Sequence, residues 1–78
     1  MGARAQHVPA YRHMCKLLRQ WRETASLTQR GLGQRLHKPY SFVWKVEAGE
    51  RRIDPIEFVA WCRACDMPPA EGIQQLDA

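Results

Sequence analysis

From Val8 onward the apolar positions Val8, Tyr11, Met14, Cys15, Leu18, Trp21 and Ala25 recur every three or four residues. That spacing predicts an amphipathic helix, because side chains three and four apart share a helical face. The other face carries Arg12, Lys16, Arg19 and Arg22 at the same interval, which reads as a solvated face or as a phosphate-binding one. Thr28 is placed to cap a second helix, in which Leu32 and Leu36 stand one turn apart. Gly31 and Gly33 each lower its helicity by ~1 kcal/mol relative to Ala. Small residues in so weak a helix imply close approach of a second helix. His37, Lys38 and Pro39 then leave room only for a tight turn.

The next stretch, "PYSFVWKV" at residues 39 to 46, supports two readings. Tyr40, Phe42, Trp44 and Val46 alternate as in a half-buried strand, and "EAGE" could turn a hairpin back into "RRI". As a helix starting near Pro39, the same residues set Val43 and Val46 inward and Ser41, Trp44 and Lys45 outward, with Tyr40 and Phe42 at the flanks. Gly49 stands where a helix C-terminus favours a left-handed residue. Periodicity leaves both open. The last third is plainer: Asp54, Pro55 and Glu57 form a capping-box pattern. Ile56, Val59, Ala60 and Cys62 follow as an apolar stripe that Phe58, Trp61 and Cys65 widen. Met67-Pro68-Pro69 ends that helix, and a short final one is expected over 70–76 with Ile73 and Leu76 inward.

The totals bound what such helices can build. Seventy-eight residues make one small domain, and a chain of this size buries only about 60% of its unfolded surface. A flexible arm over 1–7 and a single domain over 8–78 are expected. No apolar run approaches the ~20 residues that cross a bilayer, and nothing reads as a secretory leader, so no membrane partner and an intracellular, cytoplasmic location are expected. The net charge of +4 points weakly toward nucleic acid. Cys15, Cys62 and Cys65 are too few for a disulfide framework and read as buried thiols. "CRAC" at 62 to 65 has a metal-ligand spacing, but no second ligand pair matches it, and His7, His13 and His37 are scattered. No metal or cofactor is expected. No nucleophile–base pair or phosphate-cradling loop is present, so an enzyme is not expected either.

The segment "LTQRGLGQRLHKPYSFVWKVEAGERRIDPIEFVAWCRACDMPP" resembles the helix-turn-helix family of phage repressors and Cro proteins. Leu27, Thr28, Gln29, Leu32, Leu36, Val43, Val46, Glu47, Gly49, Arg51 and Arg52 fall in step with that pattern, and "LLRQWRE" looks like the family's first helix. The likeness spans roughly residues 13 to 69. It departs from the pattern at Gly31, where an acid is common, at His37 for the turn glycine, at Pro39 for a Ser or Thr cap, and at Trp44 for a small or polar residue.

The resemblance implies an all-α, lambda repressor-like DNA-binding domain of four to five short helices, with the motif over about 28–48. Residues 40 to 48 become the recognition helix and the strand alternative falls away. Base contacts would come from Tyr40, Ser41, Phe42, Trp44 and Lys45, with Lys45 suited to guanine O6 and N7 and an aromatic edge to a thymine methyl. Phosphate contacts would come from Gln29, Arg30, Lys38, Arg51 and Arg52. Residues 28 to 52 hold six bases against the two acids Glu47 and Glu50, an excess that counterion release would use. The implied function is transcription regulation by a bacterial or phage-encoded homodimeric repressor, nucleoid-associated when bound to double-stranded DNA. Its operator would be pseudopalindromic, and Met67, Ile73 and Leu76 would form the dimer interface. The alternative from another class is a protein-interaction module, antitoxin- or adaptor-like, gripping its partner with the exposed aromatics. RNA binding rests only on charge and aromatics.

Overall fold

The computed structural model describes residues 8–78, and the expected arm over 1–7 lies outside them. Five helices follow in order: α1 (Pro9–Thr24), α2 (Gln29–Leu36), α3 (Tyr40–Glu47), α4 (Pro55–Ala64) and α5 (Pro69–Asp77). Among the described residues there is no strand, so the fold is all-α and the "PYSFVWKV" stretch is helical. No helix among them is long and apolar enough to cross a membrane.

The helix ends are set by local chemistry. The Gly31 N–H donates to Thr28 Oγ1 at 2.9 Å, which caps α2 without the acidic partner a full box would need. At α4 the box is complete: the Glu57 N–H donates to Asp54 Oδ1 at 2.8 Å and the Asp54 N–H donates to Glu57 Oε1 at 3.0 Å. His37 ends α2 in the left-handed conformation, φ 56° and ψ 40°, doing the work of the family's glycine. Gly49, at φ 77°, does the same after α3. The small residue at Gly33 also finds its reason. A Cβ there would lie 2.8 Å from the Lys38 carbonyl oxygen and 3.3 Å from the Tyr40 nitrogen, so the turn closes directly over it.

Leu18, Leu32, Val43, Val46, Trp61 and Cys62 are fully buried, drawing α1 through α4 around one core. The Trp61 Nε1–H donates to the Leu18 carbonyl at 3.1 Å, so its polar edge is satisfied inside. Trp21 meets Phe58 edge to face, with ring centroids 5.9 Å apart. Both rings and Cys62 press on Gly72, where a Cβ would lie 3.1 Å from the Trp21 ring, and this lets α5 lie close. The Trp21 Nε1–H donates to Gln75 Oε1 at 3.3 Å and ties α5 to α1. Cys15, Cys62 and Cys65 are free and buried, as the apolar stripes imply. Burial pushes the Cys62 and Cys65 thiols up to about 11 and raises Cys15 as well.

Two outcomes are expected. Gly33→Ala should destabilise the domain by ~1–3 kcal/mol in urea unfolding, since the added methyl meets backbone that cannot yield cheaply. The three thiols should resist iodoacetamide at pH 8 in the folded protein and react on adding denaturant, because the reactive thiolate is scarce far below the folded value and ordinary once unfolded. Rapid alkylation of Cys62 or Cys65 without denaturant would contradict that burial.

Candidate nucleic-acid interface

Helix α3 is aimed by what lies under its two ends. Val43 and Val46 enter the core with no exposure. At its C-terminus Glu47 is buried against Arg22 of α1: Arg22 Nε donates to Oε2 at 2.6 Å and Nη2 to Oε1 at 3.1 Å. The third arm of the fork, Nη1, donates to the Leu27 carbonyl at 2.8 Å. Glu47 Oε1 also accepts from Gln29 Nε2 at 3.1 Å. Donating these hydrogen bonds to the Glu47 carboxylate raises the affinity of Arg22 for its proton. Arg22 therefore does not belong to the exposed basic face of α1 with Arg12, Lys16 and Arg19. It joins α1, the α1–α2 loop, the start of α2 and the end of α3.

The outward face of α3 carries Tyr40, Ser41, Trp44 and Lys45. Tyr40 and Lys45 are exposed, while Ser41 and Trp44 are half-buried. Phe42 is the correction to the base-facing set: it is only 7% exposed and packs against Trp61 with ring centroids 6.3 Å apart. The reason is helical geometry. At about 100° per residue, positions 40 and 44 share one side, whereas 42 turns roughly 200° from both and lies nearest Val46. That angular step was available in the sequence and finds the buried ring.

The basic residues gather around these aromatics. Arg30 lies over the Tyr40 ring, Cζ 4.3 Å from its centroid. Lys38 and Arg51 lie 5.3 and 4.7 Å from the centroid of Phe42. Arg52 is exposed, 5.8 Å over Tyr11. Arg30, Lys38 and Arg52 thus flank α3 and are open to solvent. One member of the phosphate set is otherwise engaged: the Arg51 fork is closed on Glu57 at 2.9 and 3.0 Å. The Gln29 side-chain amide bonds Glu47, which leaves the backbone N–H contact expected of it at the start of α2 unaffected.

The three residues assigned to a dimer interface do not form one patch. Ile73 and Leu76 line an apolar groove of about 280 Å³ with Met14, Ile53, Phe58 and Val59. Met67 lines a different cleft, with Gln20, Trp21, Thr24 and Gln75. Met67 follows the left-handed Asp66 and, like Leu76, is partly buried against the core. Among the described residues no group of three or more His, Cys, Asp and Glu is arranged to hold a metal.

Comparison with known proteins supports a helix-turn-helix domain. A family model described as a helix-turn-helix domain matches residues 13–72. Among solved structures, an XRE-family like protein from Pseudomonas syringae pv. tomato str. DC3000 is similar at 38% identity, with a TM-score of 0.87 over 95% of this chain and 90% of that one. No curated protein matches the chain.

The buried pair makes a sharp expectation. Glu47→Leu leaves the Arg22 charge stranded and should cost ~3–5 kcal/mol, a large share of a small domain's stability. Arg22→Met combined with Glu47→Leu should recover most of that loss in chemical denaturation. Equal and additive losses from the two changes would show that they do not act as a pair.

Proposed function

Because the chain belongs to the helix-turn-helix domain family, we propose that it is a sequence-specific regulator of transcription that reads duplex DNA with α3. In this reading it is of the Cro/CI type, a cytoplasmic homodimer that represses a promoter through a pseudopalindromic operator, with half-sites about 34 Å apart. It carries out no catalysis. The observation that carries the reading is the surface of α3: Tyr40, Ser41, Trp44 and Lys45 face outward above an anchored inner face, between the solvent-open cations Arg30, Lys38 and Arg52.

The roles follow from chemistry. Lys45 offers donors to guanine O6 and N7, and Ser41 bonds a base or a phosphate. The Tyr40 and Trp44 rings supply apolar edges for a thymine methyl. Tyr40 also orders the Arg30 guanidinium, so that a long side chain meets a phosphate already oriented. Phe42 supports this surface from beneath. For the dimer, the groove at Ile73 and Leu76 is the apolar surface nearest the C-terminus, and Met67 takes no part.

Selection from a random duplex pool tests the reading, and a two-fold symmetric site is the expected result. Affinity for that site should fall with salt at a slope of about −0.9 per phosphate neutralised. Lys45→Ala should cost ~1–3 kcal/mol and relax preference at one base position, while Arg52→Ala should weaken all sequences alike and reduce the slope by about 1. If no sequence is enriched, the regulator reading fails and the exposed rings of α3 become a protein-binding surface.

A further inference from the structure

Arg51 follows the recognition helix and has the charge of a phosphate contact, yet its side chain is committed inward. Nη1 and Nη2 donate to the two carboxylate oxygens of Glu57 at 2.9 and 3.0 Å, and Nη1 also donates to the Arg52 carbonyl at 2.6 Å. The guanidinium lies on the face of Phe42, 4.7 Å from its centroid. The Arg51 backbone N–H donates to the Lys45 carbonyl at 3.2 Å, at the C-terminal end of the same helix. Glu57 is itself held by the capping box of α4, and Phe42 bears on Trp61 in the core. One residue therefore touches both halves of α3 and the first turn of α4.

We propose that Arg51 is a positioning residue, a strut locked by Glu57 that sets the first half of α3 through Phe42, and not a phosphate contact. This rests on reading α3 as the DNA-reading helix. A guanidinium closed on a carboxylate has its charge balanced and its plane fixed, so it has little left to give a phosphate but much to give an aromatic face. The Arg51 fork in turn holds the Glu57 carboxyl below the ordinary glutamate range. The pair keeps some exposure, 42% and 17% of the two side chains, so salt weakens the strut without removing it.

Glu57→Gln separates this role from phosphate binding. It retains an oxygen for the Asp54 N–H, loses the carboxylate, and makes the protein more positive. A strut predicts that Glu57→Gln weakens the selected site about three- to tenfold while non-specific duplex affinity does not fall. Arg51→Lys should do the same despite keeping its charge, and Arg51→Ala with Glu57→Gln should bind no worse than Arg51→Ala alone. In the free protein, the backbone amide resonances of residues 40–45 should move in Glu57→Gln.

The proposal is overturned if Glu57→Gln and Arg51→Lys both bind the site like wild type while Arg51→Ala reduces the salt slope by about 0.9. It is equally overturned if the amides of α3 stay in place in Glu57→Gln. Should wild type select no duplex sequence, the DNA reading fails separately and the amide shifts alone decide the strut. If Arg51→Ala does not fold, Arg51→Lys and Glu57→Gln carry the comparison.

Discussion

A guanidinium and a carboxylate withdrawn from water hold this domain in register. The side chains of Arg22 and Glu47 retain 10% and 6% exposure, so both charges have given up most of their hydration. Such a pair adds little net stability over a well-packed apolar alternative. What it adds is direction. Each arm of the Arg22 fork has its own acceptor, and the Glu47 oxygen it shares with Gln29 lies at the end of α3. Among the described residues no buried side-chain nitrogen or oxygen is left without a partner. Rotating or sliding α3 would break several of these bonds at once and strand a charge, so the outward face of the helix is set from behind by polar geometry as well as by valines.

The same logic explains why α3 carries aromatics on and beneath its outward face. Alternate positions on a helix are nearly opposed, so Tyr40 and Trp44 share a side that Phe42 does not. Each ring then has a different task. Tyr40 is 44% exposed and orders a cation, and Phe42 is a platform between a cation and the core. Ordering arginines on rings reduces the entropy that a flexible side chain loses when it meets a partner. It also limits each arginine to the directions its ring allows, which is a form of selectivity.

What was legible in the sequence is what is local. The caps at Thr28 and Asp54, the tight turn at 37–39 and the left-handed Gly49 are each decided within a few residues and found where the pattern places them, whereas the helical register of Val43 and Val46 follows from the resemblance, since alternation alone also allows a strand. Arg22 matches the basic face of α1 in spacing, while its burial depends on Glu47, 25 residues away. The helical wheel carries a partial signal, since Arg22 lies one turn from both Leu18 and Ala25. The Arg51–Glu57 pair was hidden for a related reason: a basic residue beside a recognition helix looks the same in sequence whether it faces phosphate or a neighbouring carboxylate.

The distribution of charge constrains the proposed dimer further. Eleven of the twelve Lys and Arg precede Asp54, whereas five of the eight acids lie from Asp54 onward. Helices α1 to α3 therefore carry a net positive charge, and α4 and α5 together are neutral to negative. Such a distribution turns α1 to α3 toward a polyanion during approach. It also bears on how two copies can meet. Pairing through α1 to α3 would set like charges against each other and cover α3, the helix proposed to read DNA. Pairing through the α4–α5 side would meet weaker repulsion, lie beside the apolar groove of Ile73 and Leu76, and leave α3 of both copies uncovered. In the proposed dimer, the DNA-facing and self-pairing surfaces would thus be kept apart by charge, within a chain of 78 residues.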